Sequence, residues 1–177
     1  MPPSFFHPKI KEVPVPRDLD ELIKVKRYWL MKSEPSSFSI DDLLSRPTRT
    51  EPWDGVRNYQ ARNMIRDEMR VGDQAFFYHS SCDEPGIVGL MEIARTAYPD
   101  PTAFDPGHKH YDPESSRHNP RWFMVDVRGL LKLKRVLTLG ELKQHPALAW
   151  MRLLQRGNRL SVMPVSREEW EFILALE

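Results

Sequence analysis

The stretch RWFMVDVRGLLKLKRV, residues 121–136, alternates apolar and polar side chains through most of its length. Phe123, Val125, Val127, Leu131 and Leu133 fall on one face; Met124, Asp126, Arg128, Lys132 and Lys134 fall on the other. That period of two predicts a half-buried strand, and hence a sheet for it to sit in. Further strands are predicted at RYWLMKSEP (27–35), which stops at Pro35, and at GDQAFFYHS (72–80), entered by a Gly-Asp turn. GIVGLMEIART (86–96) adds another, where Gly89 marks a bulge or a close backbone approach. RLSVMPV (159–165) is the last.

Helical pieces separate them. Ser39 is placed to cap SIDDLLSR (39–46), with Asp41 and Asp42 in the first turn, where the helix dipole favours them. Asn58 is placed to cap a helix over 58–69 whose buried stripe is Ala61, Met64, Ile65 and Met69. Short helices are predicted at 139–143 and 147–155, then a Gly157-Asn158 turn, and a closing helix from Ser166 with Glu169 completing a capping box. Five to six strands dispersed among short helices predict an α+β chain: a mixed β-barrel flanked by helices.

Proline bounds what lies outside that frame. Five prolines in the first sixteen residues exclude a regular helix or central strand there, so residues 1–26 are predicted to be a Pro-rich N-terminal extension, with a short helix around 18–24, ahead of a domain over 27–177. Residues 98–120 are punctuated by further prolines and predict a long functional loop or flap.

Charge narrows the partners. Lys and Arg total 26 against 25 for Asp and Glu, a net charge of +1, which argues against bulk polyanion binding. Any basic surface must be local. Residues 105–135 carry seven Lys/Arg and four acids, and residues 46–70 carry six Arg and four acids. The single Cys82 excludes an internal disulfide and a cysteine zinc cage, and fits a reducing compartment. No apolar run has the length of a membrane span, so the chain is expected to be soluble and intracellular, in the cytoplasm or, in a eukaryote, the nucleus. The five tryptophans are core material and also stacking surfaces.

Four groups of residues carry candidate chemistry. In EPWDGVRNYQARNMIRDEM (51–69), Trp53 offers a flat face, Arg57 a planar fork suited to phosphate, and Asn58 an amide able to read a base edge. The same residues also read as a buried indole, an Asx turn at Asp54-Gly55 and a surface arginine. At the end of the first strand, Lys32, Ser33 and Glu34 gather three polar groups, with Trp29 on the strand before them. At the end of FFYHSSC, Tyr78, His79 and Ser80 combine a ring with polar groups. His108, His110 and His118 form one H-x-H and a distant third histidine, a weak metal pattern. A Ser80–His79–Asp83 triad is disfavoured, because adjacent residues rarely face each other. Aromatic plus polar groups at three entrances suit a flat, hydrogen-bonding ligand such as one extruded base.

The motifs YWLMKSEP, WDGVRNYQARN, FFYHS, PGIVGLMEI, YPD, FDP, YDPES, PRWFMVDV, RLSVMPVS and EW, in that order, resemble the EVE domain family from about Tyr28 to the C-terminus. The resemblance implies a PUA-like fold and recognition of a modified base, notably modified cytosine in DNA with RNA left open, flipped into an aromatic-lined pocket without metal or cofactor. It implies that Trp29, Trp53, Tyr78 and Trp122 line or abut the pocket, and that Lys32, Ser33 and Glu34, with His79, form its rim. Asn58 and Ser80 would bond a base edge, with Ser161 nearby, and Arg57, Arg121 and Arg159 would hold phosphates. A restriction or modification role would need a partner protein; the oligomeric state is left open. GHKHYDPESS departs from the family pattern, carrying histidines and Glu114 where a tyrosine and a lysine are expected. The alternative reading is catalytic: a nucleoside amidohydrolase or ribonuclease of the ASCH-like type using Lys32, Ser33 and a glutamate such as Glu92, although three consecutive strand residues are not expected to converge.

Overall fold

The alternating stretch forms the longest strand in a computed structural model that describes residues 26–177. In chain order the strands are β1 (Tyr28–Ser33), β2 (Thr50–Pro52), β3 (Gln74–His79), β4 (Gly86–Pro99), β5 (Phe123–Thr138) and β6 (Val162–Val165). They form one mixed six-stranded sheet in the order β2-β5-β4-β3-β1-β6, with short helices around it, as the sequence implies. The proposed N-terminal extension and its helix lie outside the described residues.

Strand β5 pairs antiparallel with β4 along most of its length, but the register slips four times between Ile87 and Tyr98. Each slip leaves one strand with extra unpaired residues, three at the first and one at each of the others, which bends the ladder and exchanges the face on which later side chains emerge. That corrects the simple alternation: Met124 is buried, and Leu131 is 42% exposed. Gly89 sits at one slip. A Cβ there would come within 2.5 Å of the Ile40 side chain and 2.8 Å of the Leu131 carbonyl, so glycine lets helix α1 (Ile40–Ser45) press directly on the sheet. The short β2 was not anticipated; three residues ending in Pro52 carry no period to read.

The helix caps are where local sequence places them. Ser39 and Ser166 make full capping boxes with Asp42 and Glu169. Asn58 accepts from the Ala61 N–H and opens α2 (Tyr59–Asn63), which continues as a π-helical turn over Met64–Glu68. The next helix, α3, is Leu139–Leu142, and the last, α4, is Arg167–Leu174. The helix expected over 147–155 is instead two 3-10 turns, Pro146–Leu148 and Arg152–Leu154. Side-chain amides take the carbonyls a helix would have used: Gln155 Nε2 donates to Ala149 O (2.9 Å) and Met151 O (3.1 Å), and Asn158 Nδ2 to Arg152 O (2.9 Å).

The feature that positions the site is the one parallel pairing among the described residues, β1 beside β3, with Ser33 opposite His79. Parallel strands deliver both carboxyl ends to one edge of the sheet, where ligands commonly sit. Backbone bonds lace those ends together: Ser80 N–H donates to Ser33 O (3.0 Å), and Lys32 N–H to Ser161 O (2.8 Å) just ahead of β6. Among the described residues no helix is long and apolar enough to cross a membrane.

Candidate functional site

A cavity of ≈ 710 Å³ opens at that edge, between the two end strands of the sheet order, within the size range of ligand pockets. Its polar wall is Lys32, Ser33 and Glu34. All three line it, against expectation, because the strand ends at Ser33 and the chain turns, with Ser37 N–H and Phe38 N–H both donating to Glu34 O. The Ser33 hydroxyl closes this turn by donating to Phe38 O (2.6 Å). Burial holds the Lys32 ammonium below its ordinary pKa of 10.5. Its cationic end lies 5.7 Å from the Tyr78 ring centroid, and among the described residues no carboxylate pairs with it.

The aromatic wall is Trp53 and Phe38. Trp53 is 7% exposed, is held edge-on against Phe77 with centroids 5.3 Å apart, and is fixed by its backbone N–H donating to Val125 O (2.8 Å). Phe38 stands one residue ahead of the Ser39 cap, with the Arg46 guanidinium 5.6 Å over its ring. Arg46 in turn is paired with Glu51 (3.1 Å). The flap supplies His108, Lys109 and His110. Ser80, Arg159 and Ser161 complete the expected residues that reach this cavity.

The other expected pocket residues are elsewhere, and each has a physical reason. Trp29 is 1% exposed and donates its indole N–H to buried Asp73 (3.0 Å), so it is a core anchor. Tyr78 is buried beneath Lys32, and burial pushes its hydroxyl pKa up to about 12. His79 accepts the Ile40 N–H at Nε2 (3.1 Å), which fixes its neutral form; burial lowers its pKa to the same effect. Trp122 is buried, donates to Asp112 (2.6 Å) and stacks on Tyr59 at 4.9 Å. Asn58 spends its side-chain oxygen on the cap and lies on a neighbouring groove.

Two of the three phosphate candidates are already occupied. The five N–H groups of Arg57 make five bonds: to Asp100 Oδ2 (2.9 Å), Thr102 Oγ1 (3.0 Å), Val56 O (3.0 Å) and twice to His110 O (2.8 and 3.0 Å). Arg57 is therefore a strut that ties the flap to the domain. Its partner Asp100 is fully buried. Burial alone would raise the Asp100 pKa, but bonds from Thr102, the Gly55 N–H and Arg57 outweigh it and hold the carboxyl below its usual range. Gly55, at φ +78°, completes the joint: a Cβ there would lie 2.5 Å from the His110 ring. Arg121 pairs with Glu114 (2.6 Å). Arg159 is exposed on the cavity wall and pairs with no carboxylate among the described residues. Glu92 pairs with Arg128, away from the cavity.

His108 and His110 stand 5.4 Å apart, with the His108 Nδ1 accepting the His110 backbone N–H, and among the described residues no cluster of three His, Cys, Asp or Glu side chains could hold a metal. Phe38, Arg46, Ser37 and Ser81 line the cavity without having been singled out from sequence.

This geometry belongs to a recognised set of proteins. The chain is 49% identical to human thymocyte nuclear protein 1 over 173 residues, 88% of this chain and 76% of the relative. It is 52% identical to the zebrafish protein of the same name over 166 residues, 84% of this chain and 71% of the relative. A crystal structure of human THYN1 in complex with 5-methylcytosine-containing DNA superposes with a TM-score of 0.81 at 48% identity, covering 85% of this chain and 97% of that one. A Pseudomonas putida protein structure superposes with a TM-score of 0.79 at 52% identity, covering 84% and 98%. The EVE domain description matches residues 27–176, and the chain belongs to the EVE domain family.

Proposed function

We propose that this chain is a non-catalytic nucleic-acid-binding module that receives a modified base, a modified cytosine in DNA above all, flipped into the cavity beside Trp53. The observation that carries the reading is the 48% identity to human THYN1, whose crystal structure is with 5-methylcytosine-containing DNA, together with a cavity here lined by Trp53 and by polar groups. Extruding a base costs a few kcal/mol. One aromatic stack is worth roughly 1–3 kcal/mol, and the Ser80, Ser161 and Glu34 groups on the rim are available to base edges. Burying a C5 methyl adds roughly 0.8 kcal/mol, so the methyl alone gives a several-fold preference. Lys32 and Arg159 supply positive charge where the flanking backbone would pass. The name of the vertebrate relatives supports a nuclear site of action in a eukaryotic cell.

The test is a binding comparison between a short duplex carrying one 5-methylcytosine and its unmodified twin. The modified duplex is expected to bind several-fold more tightly, and Trp53→Ala to weaken that duplex about tenfold and erase the preference. Equal binding across a panel of cytosine modifications sinks the reading.

The catalytic alternative draws on one observation, the depressed pKa of Lys32 beside Ser33 and Glu34. Against it, the Ser33 hydroxyl donates to Phe38 O rather than to a base. Turnover of an N-acylated cytidine that disappears in Lys32→Ala would move the assignment to an amidohydrolase.

A further inference from the structure

Beside the base cavity lies a second groove of ≈ 410 Å³, lined by Arg152, Arg156 and Arg159 together with the amides of Asn58, Gln60, Gln155 and Asn158. Arg159 and Leu160 line both, so the two spaces are continuous along one wall. Elsewhere several arginines are neutralised by carboxylates, Arg46 by Glu51, Arg57 by Asp100, Arg66 by Asp67, Arg121 by Glu114, Arg128 by Glu92 and Arg135 by Glu141, while Arg49, Arg62, Arg95 and Arg117 rest on carbonyls, amides or rings. The three arginines of the groove have no carboxylate partner among the described residues. The sequence gives the reason: no acid occurs between Glu141 and Glu168, a span that contains all three.

These guanidinium groups stand on a stiff mount. Gln155 and Asn158 staple the loop through side-chain bonds to Ala149, Met151 and Arg152 carbonyls, and Asn158 Oδ1 accepts the Leu160 N–H (3.1 Å). Gly157, at φ +78°, makes the turn. On a fixed loop, binding an anion costs the side chain's own freedom but not the loop's. The same loop holds Trp150 out at 89% exposure, an indole with no core to fill. Cationic forks, amides and a free ring on one loop are the composition of a surface that tracks a nucleic-acid strand.

We propose that this groove holds the phosphodiester backbone of the strand whose base enters the cavity, with Arg152 and Arg156 contacting successive phosphates beyond Arg159. The inference rests on the nucleic-acid reading above and adds where the strand runs.

The experiment is the Arg152→Gln/Arg156→Gln double variant, titrated by fluorescence anisotropy with the 5-methylcytosine duplex and its unmodified twin over a range of salt. Neither guanidinium group has a side-chain hydrogen bond or ion pair among the described residues, so the melting temperature should stay close to that of the parent chain. Affinity for both duplexes should fall together by about tenfold, the ratio between them should hold, and the slope of log K against log salt should drop by about 2. The single variant Arg156→Gln, at an exposed position, should lower the slope by about 1. Unchanged slopes with normal binding overturn the groove alone. A parent chain that binds neither duplex overturns the nucleic-acid reading and the groove with it.

Discussion

Two loops flank the cavity, and they treat arginine in opposite ways. On the flap side, Arg57 has its N–H groups taken by Asp100, Thr102, Val56 and His110, and Arg121 by Glu114. On the other side, Arg152, Arg156 and Arg159 have no acid to meet. Residues 105–135 look the more basic by composition, with seven Lys/Arg, yet four of them, Arg121, Arg128, Lys132 and Arg135, are each paired. What makes a surface available to an anion is the absence of a competing carboxylate, not the number of cations on it. One loop uses arginine as internal scaffolding, and the other leaves it facing solvent.

The sharpest way to break that contrast is Arg57→Ala. Removing one partner of a buried pair leaves Asp100 uncompensated, which should cost about 3–5 kcal/mol in chemical denaturation. Where the variant is folded, its salt slope for duplex binding should match the parent; a slope lowered by about 1 would make Arg57 a phosphate contact after all. Next in size is Gly55→Ala, which combines a positive φ with a Cβ against the His110 ring and should cost about 1–3 kcal/mol, read by thermal melting. Acid sharpens the contrast from another side. The folded Asp100 pKa lies below its ordinary 3.8, so its stabilisation is complete well above pH 3.8 and fades as pH falls through the folded value. Asp100→Asn should therefore flatten the loss of stability below about pH 4, seen in melts across pH. The smallest effect belongs to Arg121→Ala, whose partner Glu114 is largely exposed: under about 1 kcal/mol of stability and no change in salt slope.

Features set by neighbours in sequence were legible. The caps at Ser39, Asn58 and Ser166 follow from residues three positions apart. The family motifs located Lys32, Ser33, Glu34, Trp53, Ser80 and Ser161 at one cavity. Features set by distant partners were not. Trp29 and Trp53 look alike along the chain; Asp73, 44 residues from Trp29, decides which indole is an anchor. The saturation of Arg57 depends on residues 43 to 53 positions away. Phe38 had a local signal, a large ring just before a helix cap, but that position usually reads as a packing staple. The acid-free run between Glu141 and Glu168 was present in the sequence; its meaning required knowing that three of its arginines share a groove.

The lacing of Lys32 N–H to Ser161 O and Ser80 N–H to Ser33 O has a consequence for how such a cavity diversifies. These two bonds join the segments through main-chain atoms, which every residue type supplies alike. Side chains at positions 34, 80 and 161 can then be exchanged without loosening the joints that hold these segments together.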